Sequence, residues 1–126
     1  MEVLKAEALV PARNAGEPLV GCFAADLMSD VLAFAREGSL LITGLITDQT
    51  IRTAAIMQMV AVVVVEGKQV GADMVEAARE HGVAVYRTPL SKFESCGLLL
   101  QAGLRPSRRC MPTSTERSAT CAEHDV

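Results

Sequence analysis

The segment Ala61-Val62-Val63-Val64-Val65 constrains this chain more than any other. Four of its five residues are β-branched, the type that favours strands. No polar residue alternates with them, so neither face of the strand suits water. A strand apolar on both faces belongs in the interior of a parallel sheet, covered by helices. It ends the longest unbroken apolar run, residues 59–65. That run is far short of the roughly 20 residues that cross a bilayer, so no membrane association is expected.

The rest of the pattern extends this reading. Val3-Leu4 begins a short strand, and residues 11–18 form a polar turn around Asn14-Ala15-Gly16. Residues 19–24 read as a second strand. Residues 26–37 carry apolar positions at helical period: Leu27, Met28, Val31, Leu32, Phe34 and Ala35. Gly38 is placed to cap that helix. Residues 39–43 are a strand, and Thr47 or Asp48 caps a helix burying Ile51, Ala54, Ala55 and Met59. After the 61–65 strand, residues 72–81 are helical with Met74, Val75 and Ala78 inward, and Gly82 ends them. Residues 83–86 make a further strand. Residues 91–102 make the last helix, with Ser91 and Glu94 in capping-box positions and Gly103 closing it. Strand and helix alternate, which predicts an α/β fold: one small domain with a mostly parallel sheet of about four to five strands and helices on its faces.

Charge divides the chain. Residues 1–104 hold 8 Lys+Arg and 12 Asp+Glu, whereas residues 105–126 hold 4 and 3. The expected domain is 1–104. The segment 105–126, rich in Ser, Thr, Arg and Pro without apolar period, is expected to be a polar, flexible tail. An acidic domain lacks the footprint of a nucleic-acid binder. Three Phe, one Tyr and no Trp are too few for a base-stacking platform. The opening residues lack the charged and apolar regions of a signal peptide, so a cytoplasmic location is expected.

Recognised catalytic patterns do not assemble. A Walker loop ending at Gly67-Lys68 needs glycine at position 62, which is Val, and a hydroxyl at position 69, which is Gln. No G-x-G-x-x-G follows a strand. His81 sits at a helix end and has no nucleophile partner by pattern. Cys22, Cys96, Cys110 and Cys121 contain no C-x-x-C pair, and Cys110, Cys121 and His124 fall in the tail. Asp26 and Asp30 stand four apart on one expected helix face, two oxygen ligands where a cation needs more. No catalytic set, metal site or cofactor is expected.

In open parallel sheets, ligands sit beyond the carboxyl ends of the strands. The loops there begin at Ala25, Gly44, Glu66 and Arg87. Their hydroxyls, carboxylates and helix N-termini suit an anion or phosphate. The ligand-binding candidates are Asp26, Ser29, Asp30, Thr43, Thr47, Gln49 and Thr88. Asp26, Thr47 and Asp48 are also ordinary helix-cap types.

Three stretches carry a resemblance. Residues 21–31, GCFAADLMSDV, resemble the G-G-Y-x-S-D-L-L-S-D-V segment of the DRTGG domain family. Leu41-Ile42-Thr43 with Thr47-Asp48-Gln49-Thr50-Ile51 resembles its W-I-T…T-H-x-N-I segment. Residues 83–94, VAVYRTPLSKFE, resemble its I-P-L-L-x-T-x-L-S-x-F-E. Taken in register, the resemblance covers roughly residues 19–104. The resemblance implies a regulatory or assembly module of the kind found beside CBS domains in regulated pyrophosphatases. It is also similar to the amino-terminal domain of HPr kinase/phosphorylase, without that enzyme's phosphate loop. It implies a homodimer, and a protein partner in an anaerobic redox or hydrogenase setting. The function expected is thus non-catalytic regulation, with a nucleotide or other phosphate-bearing ligand at the strand ends. The alternatives are a pure protein-interaction subunit, or a phosphate- or metal-dependent transferase using the same loops.

Overall fold

The computed structural model describes residues 3–12 and 19–107. Residues 13–18 of the expected turn at 11–18, and residues 108–126 of the expected tail at 105–126, with Cys110, Cys121 and His124, lie outside them. The element order is β1 (Glu7–Val10), β2 (Cys22–Ala24), α1 (Met28–Phe34), β3 (Leu40–Thr43), α2 (Asp48–Ile56), β4 (Ala61–Val64), α3 (Ala72–His81), β5 (Ala84–Arg87) and α4 (Lys92–Gln101). One five-stranded sheet has the order β1-β5-β4-β3-β2. Strands β2 to β5 are mutually parallel, and β1 adds antiparallel to β5. The α/β class and the mostly parallel sheet are as the sequence predicts. No helix among the described residues is long and apolar enough to cross a membrane.

The order β2-β3-β4-β5 follows the chain, so each crossover steps the same way across the sheet. Crossovers of one hand then lay their helices on one face. Met28 and Val31 of α1, Ile51 and Ala54 of α2, and Met74, Ala77 and Ala78 of α3 share a core cluster with Leu41, Val62, Val64 and Val85. The intervening residues Leu40, Ile42, Ala61, Val63, Val65 and Ala84 point the other way and pack with Leu99 of α4. Successive strand residues face opposite sides, so an all-apolar β4 lines both cores. Its four residues are all buried, as are those of β3.

Several local expectations are corrected. The chain turns at Val3-Leu4, and Lys5 takes a φ of 53° there. Leu4 is fully buried as a core plug, while the first strand is Glu7–Val10, tied to β5 partly by the Glu7–Arg87 ion pair. Helix α1 is shorter than residues 26–37 and stops at Phe34, because Ala35 is extended. Gly38 therefore caps nothing; it lies in the following turn, where its N–H donates to the Gln58 carbonyl. Asp26 precedes α1 and does not share a helix face with Asp30. Thr47 occupies the α2 N-cap position but makes no side-chain cap bond. Thr50 and Thr53 are buried with Ile51 and Ala54, whereas Ala55 is half-buried. Ser91 and Glu94 form the full capping box at α4.

The chain beyond Leu104 returns to the sheet edge at β2. Cys22 bridges Pro106 in parallel; the Cys22 N–H donates to Arg105 O and the Ser107 N–H to Cys22 O, both at 2.9 Å. Gly21 permits the approach. A Cβ there would stand 2.5 Å from Arg105 O and 2.7 Å from the Ser107 Cβ.

Candidate functional site

The carboxyl ends of β2 to β5 lie along one edge, because these strands are parallel and in register. Leu40 pairs Ala61, and Ala61 pairs Ala84. The loops that leave this edge are bonded to one another. The Glu66 and Gly67 N–H groups donate to Leu90 O and Thr88 O, each at 2.8 Å. This needs a left-handed turn, with φ at 60° for both residues. Glu66 is not glycine, and such a conformation in a non-glycine residue is uncommon enough to mark a constrained loop.

Asp26 is the centre of the polar network. The β2–α1 loop aims its carboxylate at the start of the β3–α2 loop. Its Oδ1 accepts the Gly44 N–H at 2.7 Å and the Thr43 hydroxyl at 3.2 Å. Its Oδ2 forms an ion pair with Lys92, from the first turn of α4. These donors hold the Asp26 carboxyl below its ordinary 3.8, Lys92 foremost and the Gly44 N–H next. A carboxylate so held is a weak proton acceptor, which does not suit general-base work.

Lys68 completes the network from the β4–α3 loop. Its Nζ donates to Gly44 O at 2.8 Å. No carboxylate among the described residues lies within ion-pair distance of it. Gly44 makes room for both partners: a Cβ there would stand 3.0 Å from Lys68 Nζ and 3.6 Å from Asp26 Oδ1. Asp26, Lys68 and Lys92 together leave one positive charge in excess. An exposed ammonium fixed against backbone and left without a counter-charge can bind an anion.

The residues expected from the sequence separate into three groups. Asp26 and Thr43 meet at this network. Thr88 is fully buried below it; its hydroxyl donates to Leu4 O at 2.6 Å and accepts the Leu90 N–H at 3.2 Å. Its hydrogen bonds fasten the β5–α4 loop to the amino-terminal turn. Ser29, Asp30, Thr47 and Gln49 are exposed, and no hydrogen bond of the network reaches them. Lys68, Lys92 and Gly44 were not singled out from the sequence. The strand-end rule does point to their loops. A choice by hydroxyl and carboxylate passes over them, because a lysine in a loop looks like any solvated lysine.

Among the described residues there is no group of three or more His, Cys, Asp or Glu able to hold a metal ion. His81 is exposed at the end of α3. Cys22 of β2 and Cys96 of α4 are free thiols, both half-buried against the core on the α4 side of the sheet.

The fold is similar to a solved chain from Clostridium perfringens, described as the CBS and DRTGG domains of the regulatory region of pyrophosphatase complexed with activator, diadenosine tetraphosphate. The TM-score is 0.63 at 15% identity, over 97% of this chain and 56% of that one. The chain thus spans little more than half the length of that structure. The likeness supports a DRTGG-like fold. No family model matches the chain, and no curated protein does.

Proposed function

We propose that this domain is a non-catalytic regulatory module that binds a phosphate-bearing ligand, a nucleotide foremost, at the carboxyl ends of β2 to β5. The observation that carries this reading is Lys68. Its ammonium is held 2.8 Å from Gly44 O and has no carboxylate partner among the described residues. Lys92 supplies a second cation, shared with Asp26. Fixed cations on a rigid strand edge attract phosphate oxygens without reordering the site. The similar pyrophosphatase regulatory region, described in complex with diadenosine tetraphosphate, supports the reading through its fold.

Titration calorimetry with ATP, AMP and inorganic tripolyphosphate tests it. ATP and tripolyphosphate are expected to bind, and Lys68→Met to weaken both about tenfold, the loss of one charge-assisted contact. Absence of binding by the wild type, or equal binding by Lys68→Met, overturns the proposal. ATP binding well above tripolyphosphate identifies the nucleoside as part of the ligand.

A second reading, a protein-interaction subunit that pairs with its own copy, has its own observation. Phe93, Gly97 and Leu100 follow at i, i+4 and i+7 on one side of α4. Phe93 is 89% exposed and Leu100 56%, and a Cβ on Gly97 would meet nothing within 4 Å. A protruding ring one turn from a gap is self-complementary, as a twofold interface requires. Light scattering that shows a monomer at high concentration counts against this reading, and a dimer abolished by Phe93→Glu supports it.

A further inference from the structure

Two oxygens at this edge are of the kind a divalent cation takes, a carboxylate Oδ and a backbone carbonyl. Both already carry an ammonium. Lys92 Nζ sits on Asp26 Oδ2, and Lys68 Nζ on Gly44 O. The remaining carboxylate oxygen accepts Gly44 N–H and the Thr43 hydroxyl. Asp26 belongs to no group of three or more His, Cys, Asp or Glu among the described residues. A magnesium ion demands close, near-octahedral oxygens and gives up its water reluctantly. To use Asp26 Oδ2 or Gly44 O it must displace the lysine ammonium that already occupies that oxygen.

The absence of a side chain at position 44 strengthens the point. It lets Lys68 lie against the backbone itself, where a Cβ would stand 3.0 Å from its Nζ. Each lysine has three donor hydrogens and uses one on its protein oxygen. The others remain for a ligand.

From this arrangement we infer that the phosphate-bearing ligand is taken as its metal-free anion, with Lys68 and Lys92 in the places a divalent cation occupies in magnesium-dependent sites. The inference rests on the phosphate-binding reading above and deepens it. A protein of this kind distinguishes free polyphosphate from its magnesium complex.

The test is calorimetry on the full chain with ATP, once in EDTA and once in excess magnesium at matched ionic strength. Inorganic tripolyphosphate run alongside separates the nucleotide from bare phosphate as the source of the effect. Wild-type affinity is expected to fall at least about tenfold in magnesium, since only the metal-free fraction of the ligand is competent. Lys92→Met uncovers Asp26 Oδ2 and lets a cation reach it, so most of that loss should vanish. Where Lys92→Met binds too weakly to read, Asp26→Asn, which removes the charge a cation would seek, is expected to keep the full preference for the free anion. Tighter wild-type binding in magnesium overturns the inference. So does a magnesium penalty that persists in Lys92→Met or disappears in Asp26→Asn. Absence of binding in both conditions overturns the phosphate-binding reading itself.

Discussion

Lys68 Nζ donates to the carbonyl oxygen of Gly44 across 2.8 Å and so joins the loop after β4 to the loop after β3. The contact depends on a residue without a side chain. A Cβ at position 44 would meet the Nζ at 3.0 Å, and the far end of a flexible lysine is the atom that gives way.

Gly44→Ala should therefore leave the fold intact and move the ammonium. Replacing glycine where the backbone tolerates alanine stabilises by about 0.4–1 kcal/mol through the unfolded chain. The expected outcome is an unchanged or slightly raised melting temperature together with several-fold weaker ATP binding, read by thermal denaturation and calorimetry.

The Asp26–Lys92 pair makes a prediction about acid. The Asp26 carboxyl titrates below 3.8 in the folded protein. A group whose folded pKa is depressed stabilises fully above the unfolded value and loses that contribution as pH falls through the folded one. Urea denaturation at pH 5 and pH 3 should show a larger loss for the wild type than for Asp26→Asn. Glu94, whose carboxyl Ser91 also holds low, titrates in both proteins and cancels from the comparison.

Two helix starts that look alike in sequence should respond differently. Ser91 caps α4, accepting the Glu94 N–H at 3.1 Å, while the Glu94 carboxylate accepts the Ser91 N–H. Thr47 precedes α2 without a cap bond from its side chain. Ser91→Ala should cost about 1 kcal/mol, and Thr47→Ala less than about 0.5 kcal/mol. Equal losses in chemical denaturation would contradict the assigned roles.

Cys22 should be a slow thiol. Burial pushes it up to about 12, and the nearby Cys96 adds to the shift. Its thiolate fraction at pH 8 is then about a thousandfold below that of a free cysteine, and thiolate is the reactive form. Iodoacetamide labelling followed by peptide mass spectrometry should leave Cys22 unmodified while the protein is folded and label it quickly in urea. Prompt labelling of the folded protein would contradict its burial.

Much of the fold is visible in local pattern. The run 61–65 announces an interior strand, the period of Met74 and Ala78 announces α3, and Gly82 marks its end. The misreadings lie where tertiary contacts override such patterns. Helix α1 stops four residues before Gly38. Leu4 looks like a strand residue, yet its carbonyl is held by the hydroxyl of Thr88, 84 positions away. Of the candidate site, Asp26 and Thr43 are legible as polar groups at strand ends. Lys68 and Lys92 are not, since neither has a local partner that would set it apart.

Sequence by itself determined most of the element types and the two-faced burial of β4. Those follow from side-chain shape and from the periods of strand and helix, which act over a few residues. Tertiary structure alone decided that Asp26 would hold Gly44 and Lys92, and that Lys68 would reach the Gly44 carbonyl. These contacts join residues 18, 66 and 24 positions apart. They exist because parallel strands in register bring their loops to one edge, a spacing that no stretch of the chain contains.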